Sequence, residues 1–208
     1  MQEEADLPKD RQTMKKTNDI IALMVLVVCS IVAHAQTDKS RPQRSIAETL
    51  DSWITTVERH VVPAADAMPE DKYAFAPDQA CGEFKGVRTF AQQVKHLAAN
   101  NYGIAALITG RERTTDTANE TGPDSVRTKA EIMEYVKGSF TALHEAVAMI
   151  DKRNVVQPTA SPSEWQKTRL SFAIDAVAHS FNHYGQLVEY LRMNGIVPPE
   201  SRPQKPLK

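Results

Sequence analysis

The stretch DAVAHSFNHYGQLVEYLRMNGIVPP, residues 175–199, decides how the chain is read. His179 and His183 stand four residues apart inside an unbroken helical pattern, so they share one face with Cβ atoms roughly 5–6 Å apart. Two imidazoles so placed can converge on one ion at about 2.0–2.1 Å, which makes half of a metal site. The same spacing also arises in helices whose histidines are merely packed, so the pair alone leaves ligand and core residue both open. Leu187, Tyr190 and Leu191 continue the helix as its packing face. Gly195 stands where a left-handed residue belongs after a helix, and Pro198 and Pro199 prevent its resumption.

Three further helices precede this one. Thr89 and Gln92 form a capping box that opens a helix expected to run to about Thr109 and to stop at Gly110. Its apolar stripe is Phe90, Val94, Leu97, Ile104 and Ile108. Thr128 and Glu131 repeat the capping box before Ile132, Val136, Phe140, Leu143, Val147 and Ile150. The first helix starts at Ser45 and carries Ile46, Leu50, Trp53, Ile54 and Val57 on its apolar face, with Pro63 bending or ending it. Ser161, Pro162 and Glu164 supply an N-cap, a first-turn proline and an acidic third position, so the fourth helix is expected to begin at Ser161. Residues 72–88 mix aromatics with Pro and Gly and read as an irregular packed loop. Residues 111–124 are too polar for core and read as a surface loop. The expected fold class is all-α, a four-helix bundle with a long loop between helices 2 and 3 and no sheet.

The remaining histidines differ in their surroundings. His96 has Gln92, Ala99 and Gly103 within one or two turns on its flank, and small neighbours leave room beside an imidazole; close helix packing explains them equally. His144 lies beside the apolar stripe of its helix near Lys137 and Glu145, and it ranks below His96. His60 has no histidine one turn away and reads as packed or solvated. Asp175 falls one turn before His179 on the same face, placed either to orient a ligand or to be plainly solvated.

Ahead of the helices, Met14, Lys15 and Lys16 precede an apolar run over residues 20–33 that ends in Ala33-His34-Ala35, the pattern of a secretory signal cleaved after Ala35. The run is short against the roughly 20 residues of a spanning helix, so no stable membrane anchor is expected after cleavage. Residues 1–35 thus read as an upstream extension and signal peptide, 36–44 as a linker, 45–200 as the helical domain and 201–208 as a polar tail. The destination is periplasmic or secreted. Cleavage removes four of the 25 basic and five of the 26 acidic residues, leaving 21 of each, so no nucleic-acid footprint survives. It also removes Cys29 and leaves Cys81 without a cysteine partner, whether as an inert packed thiol or a reactive one.

Three segments carry a resemblance: TFAQQVKHLAANNY over residues 89–102, EDKYAFAPD over 70–78, and HSFNHYGQLVEYLRMNGIVPP over 179–199. Together they resemble the DinB-like family, four-helix bundles associated with a divalent metal held by three histidines. The likeness spans most of residues 53–199 and is thin over 111–126 and the start of helix 4. It implies His96, His179 and His183 as metal ligands, with zinc or nickel the first choices and iron also suited to three nitrogens. It implies an open coordination position, and hence, taken with the signal pattern, an exported metal-dependent hydrolase or transferase acting on a small-molecule substrate. The alternative is a non-catalytic metal-binding or partner-binding helical module, with a homodimer as an allowed assembly. No catalytic residue is assigned. Some relatives are transferases that use cytoplasmic thiols, a substrate class at odds with a secretory signal.

Overall fold

A computed structural model describes residues 43–78, 80, 82–112, 117, 118, 121–160 and 168–203. The signal and linker expectations, the Ser161–Glu164 motif and Cys81 lie outside the described residues. Among the described residues, four α-helices make the domain: α1 (Ile46–Ala67), α2 (Phe90–Thr109), α3 (Lys129–Ala148) and α4 (Arg169–Met193). Among the described residues the only strand-like pairing is an isolated antiparallel bridge between Pro158 and Thr168. No described helix is long and apolar enough to cross a membrane.

Each helix opens with a reciprocal capping box, which satisfies backbone N–H groups that the first turn cannot pair internally. The pairs are Ser45 with Glu48, Thr89 with Gln92, Thr128 with Glu131 and Thr168 with Ser171. The described residues of 72–88 form an irregular segment in which Tyr73 and Pro77 are buried, and they add to the start of α2: Phe90 and Ala91 donate their N–H groups to the carbonyls of Phe75 and Tyr73 at 2.8 and 2.9 Å. At the other end of α2, Gly110 takes φ 70°, as its place in the sequence requires. α4 closes in a Schellman arrangement, with Ile196 N–H on Leu191 O and Gly195 N–H on Arg192 O.

Three expectations need correction. The helix carrying the two histidines begins at Arg169, because Thr168 before it is extended and pairs with Pro158 in the isolated bridge. Trp53 is 53% exposed; the stripe through Ile46, Leu50, Ile54, Val57 and Val61 turns Ile54 inward and leaves its neighbour at the edge. The 111–124 loop is not wholly superficial, since Thr117, Gly122 and Pro123 are buried and Lys95 Nζ donates to Pro123 O at 2.6 Å. A Cβ on Gly122, at φ 77°, would meet the Lys95 side chain at 2.9 Å, so this close approach requires glycine. Pro63 neither ends nor interrupts α1, and lies on its exposed side.

Contacts between the helices set their directions. Gln93 meets Gln186 while Arg169 Nε donates to Ile108 O, so α2 and α4 are antiparallel. His60 stacks edge-on against Phe181 and Tyr184, and Lys72, just past the end of α1, donates to Asn194 O just past the end of α4, so these two run parallel. Asp51 with His144 and Asp66 with Lys129 make α1 and α3 antiparallel, which leaves α2 and α3 parallel. The cyclic order is α1, α3, α2, α4, with the most extensive interface between α2 and α3. Phe90, Leu97, Ile108, Ile132, Phe140, Leu143, Leu187 and Leu191 are fully buried at its centre. Each contributes roughly 2 kcal/mol of apolar burial, and none of these side chains belongs to the histidine group.

Candidate metal centre

Three histidines from α2 and α4 meet in the bundle. His96 and His183 are buried, at 7% and 4% exposure, and His179 is half-buried. Antiparallel packing brings residue 96 level with the turn that holds residues 179–183, and the helical repeat points both α4 imidazoles at it. His179 Nε2 lies 3.2 Å from His96 Nε2 and 3.0 Å from His183 Nε2. The three rings are mutually steep, with interplanar angles of 69°, 74° and 71°. Their donor atoms lie within 4.8 Å of one another, the only such group of three His, Cys, Asp or Glu among the described residues.

These separations fit an ion. Two nitrogens about 2.05 Å from one centre and 3.0 or 3.2 Å apart subtend roughly 94° or 103° there, between octahedral and tetrahedral angles. Neutral imidazoles are also what ligation needs. Burial above all, then His179, His96 and the Arg88 guanidinium, push the His183 pKa down to about 3, so this ring is neutral at physiological pH.

The site's surroundings contain residues that the sequence reading did not single out. His183 Nδ1 is 2.8 Å from Gln93 Oε1, and Gln93 Nε2 donates to Gln186 Oε1 at 2.6 Å. Gln93 is only 3% exposed although its neighbour Gln92 is exposed. The available signal was phase: Gln93 sits three residues after Phe90 and four before Leu97, inside the apolar stripe. Both glutamines also line a cavity of about 910 Å³, together with Arg88, Asn182, Gly185 and Glu189.

The other candidates lie apart from this group. His60 donates from Nδ1 to Thr56 O at 2.7 Å and packs against Phe181 and Tyr184, the packed alternative of its sequence reading. His144 is held between two carboxylates of α1, with Nδ1 2.6 Å from Asp51 and Nε2 3.1 Å from Glu58. Burial opposes charge on this ring, but the hydrogen bonds to Asp51 and Glu58 outweigh it and hold the His144 pKa above the ordinary histidine value. Asp175 is half-buried one turn before His179.

Fold and site together define a helical bundle with a three-histidine group, able to hold a metal ion, between facing helices. The family model described as the DinB superfamily matches residues 53–187, and the chain belongs to that superfamily. Among solved structures it is similar to a DinB-like protein from Bacillus cereus ATCC 10987, with 17% identity, a TM-score of 0.58, and coverage of 74% of this chain and 96% of that one. At that identity the likeness concerns the fold. None of the curated proteins matches this chain.

Proposed function

We infer that the protein binds one divalent metal ion through His96, His179 and His183 and acts on a small molecule there as a metal-dependent hydrolase or transferase. The observation that carries this reading is the convergence of three Nε2 atoms at 3.0 and 3.2 Å from two separate helices. Three ligands leave a coordination position open, where a structural site would be closed by a fourth. Zinc or nickel suits the nitrogen set, and iron is also compatible. Such an ion supplies Lewis acidity in the site. His183 holds its lone pair ready in a buried, neutral ring, while Gln93 holds the opposite nitrogen. The cavity that Gln93 also lines carries the Glu189 carboxylate and the Arg88 guanidinium on its wall and reaches the histidines only through Gln93, behind the His183 ring.

Metal content of the purified protein tests the reading directly. About one equivalent of zinc, nickel or iron per chain is expected, and a chain that takes up none of them under reconstitution defeats it.

Export is part of the same proposal, on the strength of Lys15, Lys16, the apolar run over 20–33 and Ala33-His34-Ala35. N-terminal sequencing of the product should begin at Gln36. A cytoplasmic product retaining residues 14–35 would remove the objection to a cytoplasmic thiol as co-substrate.

A further inference from the structure

We propose that Gln93, itself held by Gln186, is the positioning residue that fixes the tautomer and ring orientation of His183 for metal binding. The inference rests on the three-histidine reading and deepens it. His183 turns Nε2 toward His179 and the centre of the cluster, so ligation requires the lone pair on Nε2. A neutral ring then carries its hydrogen on Nδ1, and that N–H, in a residue 4% exposed, needs an acceptor. Gln93 Oε1 is that acceptor at 2.8 Å.

An amide can present either end, so something has to choose. Gln93 reaches His183 from the preceding turn of the site on α2, and its amide nitrogen is engaged on the far side by Gln186 Oε1 at 2.6 Å. Ligation through Nε2 makes Nδ1–H the donor, so the oxygen of Gln93 faces His183 and its nitrogen is left to donate to Gln186, with both ends of the amide engaged. The relay Gln186–Gln93–His183 therefore runs from the cavity wall to the metal ligand, and every link is a donor meeting an acceptor. Hydrogen-bonded partners of this kind hold a ligand ring in place and raise its basicity, and their loss typically lowers metal affinity about 10–100-fold.

Three variants separate positioning from packing. Gln93→Leu keeps the side chain's bulk and removes the acceptor; Gln93→Glu restores an acceptor; Gln186→Leu removes only the group that orients Gln93. Zinc affinity, measured by competition with a chromogenic chelator, should fall about 10–100-fold in Gln93→Leu. It should fall less in Gln186→Leu and return to near wild type in Gln93→Glu. The visible ligand-field spectrum of the cobalt-substituted protein should change in Gln93→Leu and not in Gln93→Glu, a signature that a packing role would leave alone. Circular dichroism of the metal-free variants identifies any that fail to fold, and Gln186→Leu then carries the test from outside the buried position. Wild-type zinc affinity and an unchanged cobalt spectrum in Gln93→Leu would overturn the assignment while leaving the metal site standing. A wild-type protein that takes up none of zinc, cobalt, nickel or iron overturns the metal reading and this inference with it.

Discussion

His96 and His179 are 83 residues apart in the chain, yet their Nε2 atoms approach to 3.2 Å across the interface between α2 and α4. Neither helix alone can build the site, whereas the hydrophobic core draws on none of the three histidines. Each of His96→Ala, His179→Ala and His183→Ala should therefore lose most of its metal and keep its helical spectrum. His60→Ala and His144→Ala should retain full occupancy. Elemental analysis beside far-ultraviolet circular dichroism checks the set, and full metal in His96→Ala with depletion in His144→Ala would show the third ligand to be misassigned.

His144 ties α3 to α1 through both ring nitrogens, and since carboxylates only accept, both must donate. That is the protonated ring. Its pKa is raised in the folded state, so its contribution to stability is fully present below the ordinary histidine value of about 6.5 and is lost as pH rises through the raised one. Because Asp51 is half-exposed the contribution is screened, to about 1 kcal/mol at most. Urea unfolding of wild type and His144→Ala across pH 5–9 should give a gap widest at the acid end. A gap that grows toward alkaline pH would show that the ring is held neutral.

Gly185 and Gly138 should respond oppositely to alanine. A Cβ at Gly185 meets nothing within 4 Å, so Gly185→Ala gains helix propensity of about 1 kcal/mol and raises the thermal midpoint by a few degrees. A Cβ at Gly138 would overlap the Tyr102 hydroxyl, so Gly138→Ala must displace that ring and should melt below wild type. Calorimetry of the two variants decides it.

Thr89 accepts from Gln92 N–H while the Gln92 side chain accepts from Thr89 N–H. Thr89→Ala should cost about 1 kcal/mol in chemical denaturation. Because α2 carries His96 in its second turn, metal affinity should fall with it only slightly; a large loss would mean that the cap also sets the register of the ligand.

Much of this molecule is legible in the sequence wherever the signal is local. Thr89 and Gly110 bracket α2 at the residues expected, and Thr128 marks α3, because caps and left-handed glycines act over a few residues. His179 and His183 are legible through helical spacing, and His96 through the resemblance. The start of α4 is not, since Thr168 finds Ser171 three residues on rather than Glu or Gln, a weaker signature than the one at Ser161. Helix directions depend on contacts between residues 60 and 181 or 93 and 186, and no single-sequence pattern encodes them. Gln93 was hidden by its residue type: a glutamine inside an apolar stripe looks like an interruption until its partners are known.

The parallel course of α1 and α4 has a mechanical consequence. The chain enters α1 at one pole and leaves α4 at the other, the two separated by the roughly 37 Å length of the 25-residue α4. Tension applied between them does not peel one helix from its neighbour; it slides α1 and α4 past each other. The contacts of His60 with Phe181 and Tyr184 then bear the force together with the rest of that seam. Forced rupture is governed by the barrier to this shear, while α2, which brings His96 to the centre, lies off the direct line of pull.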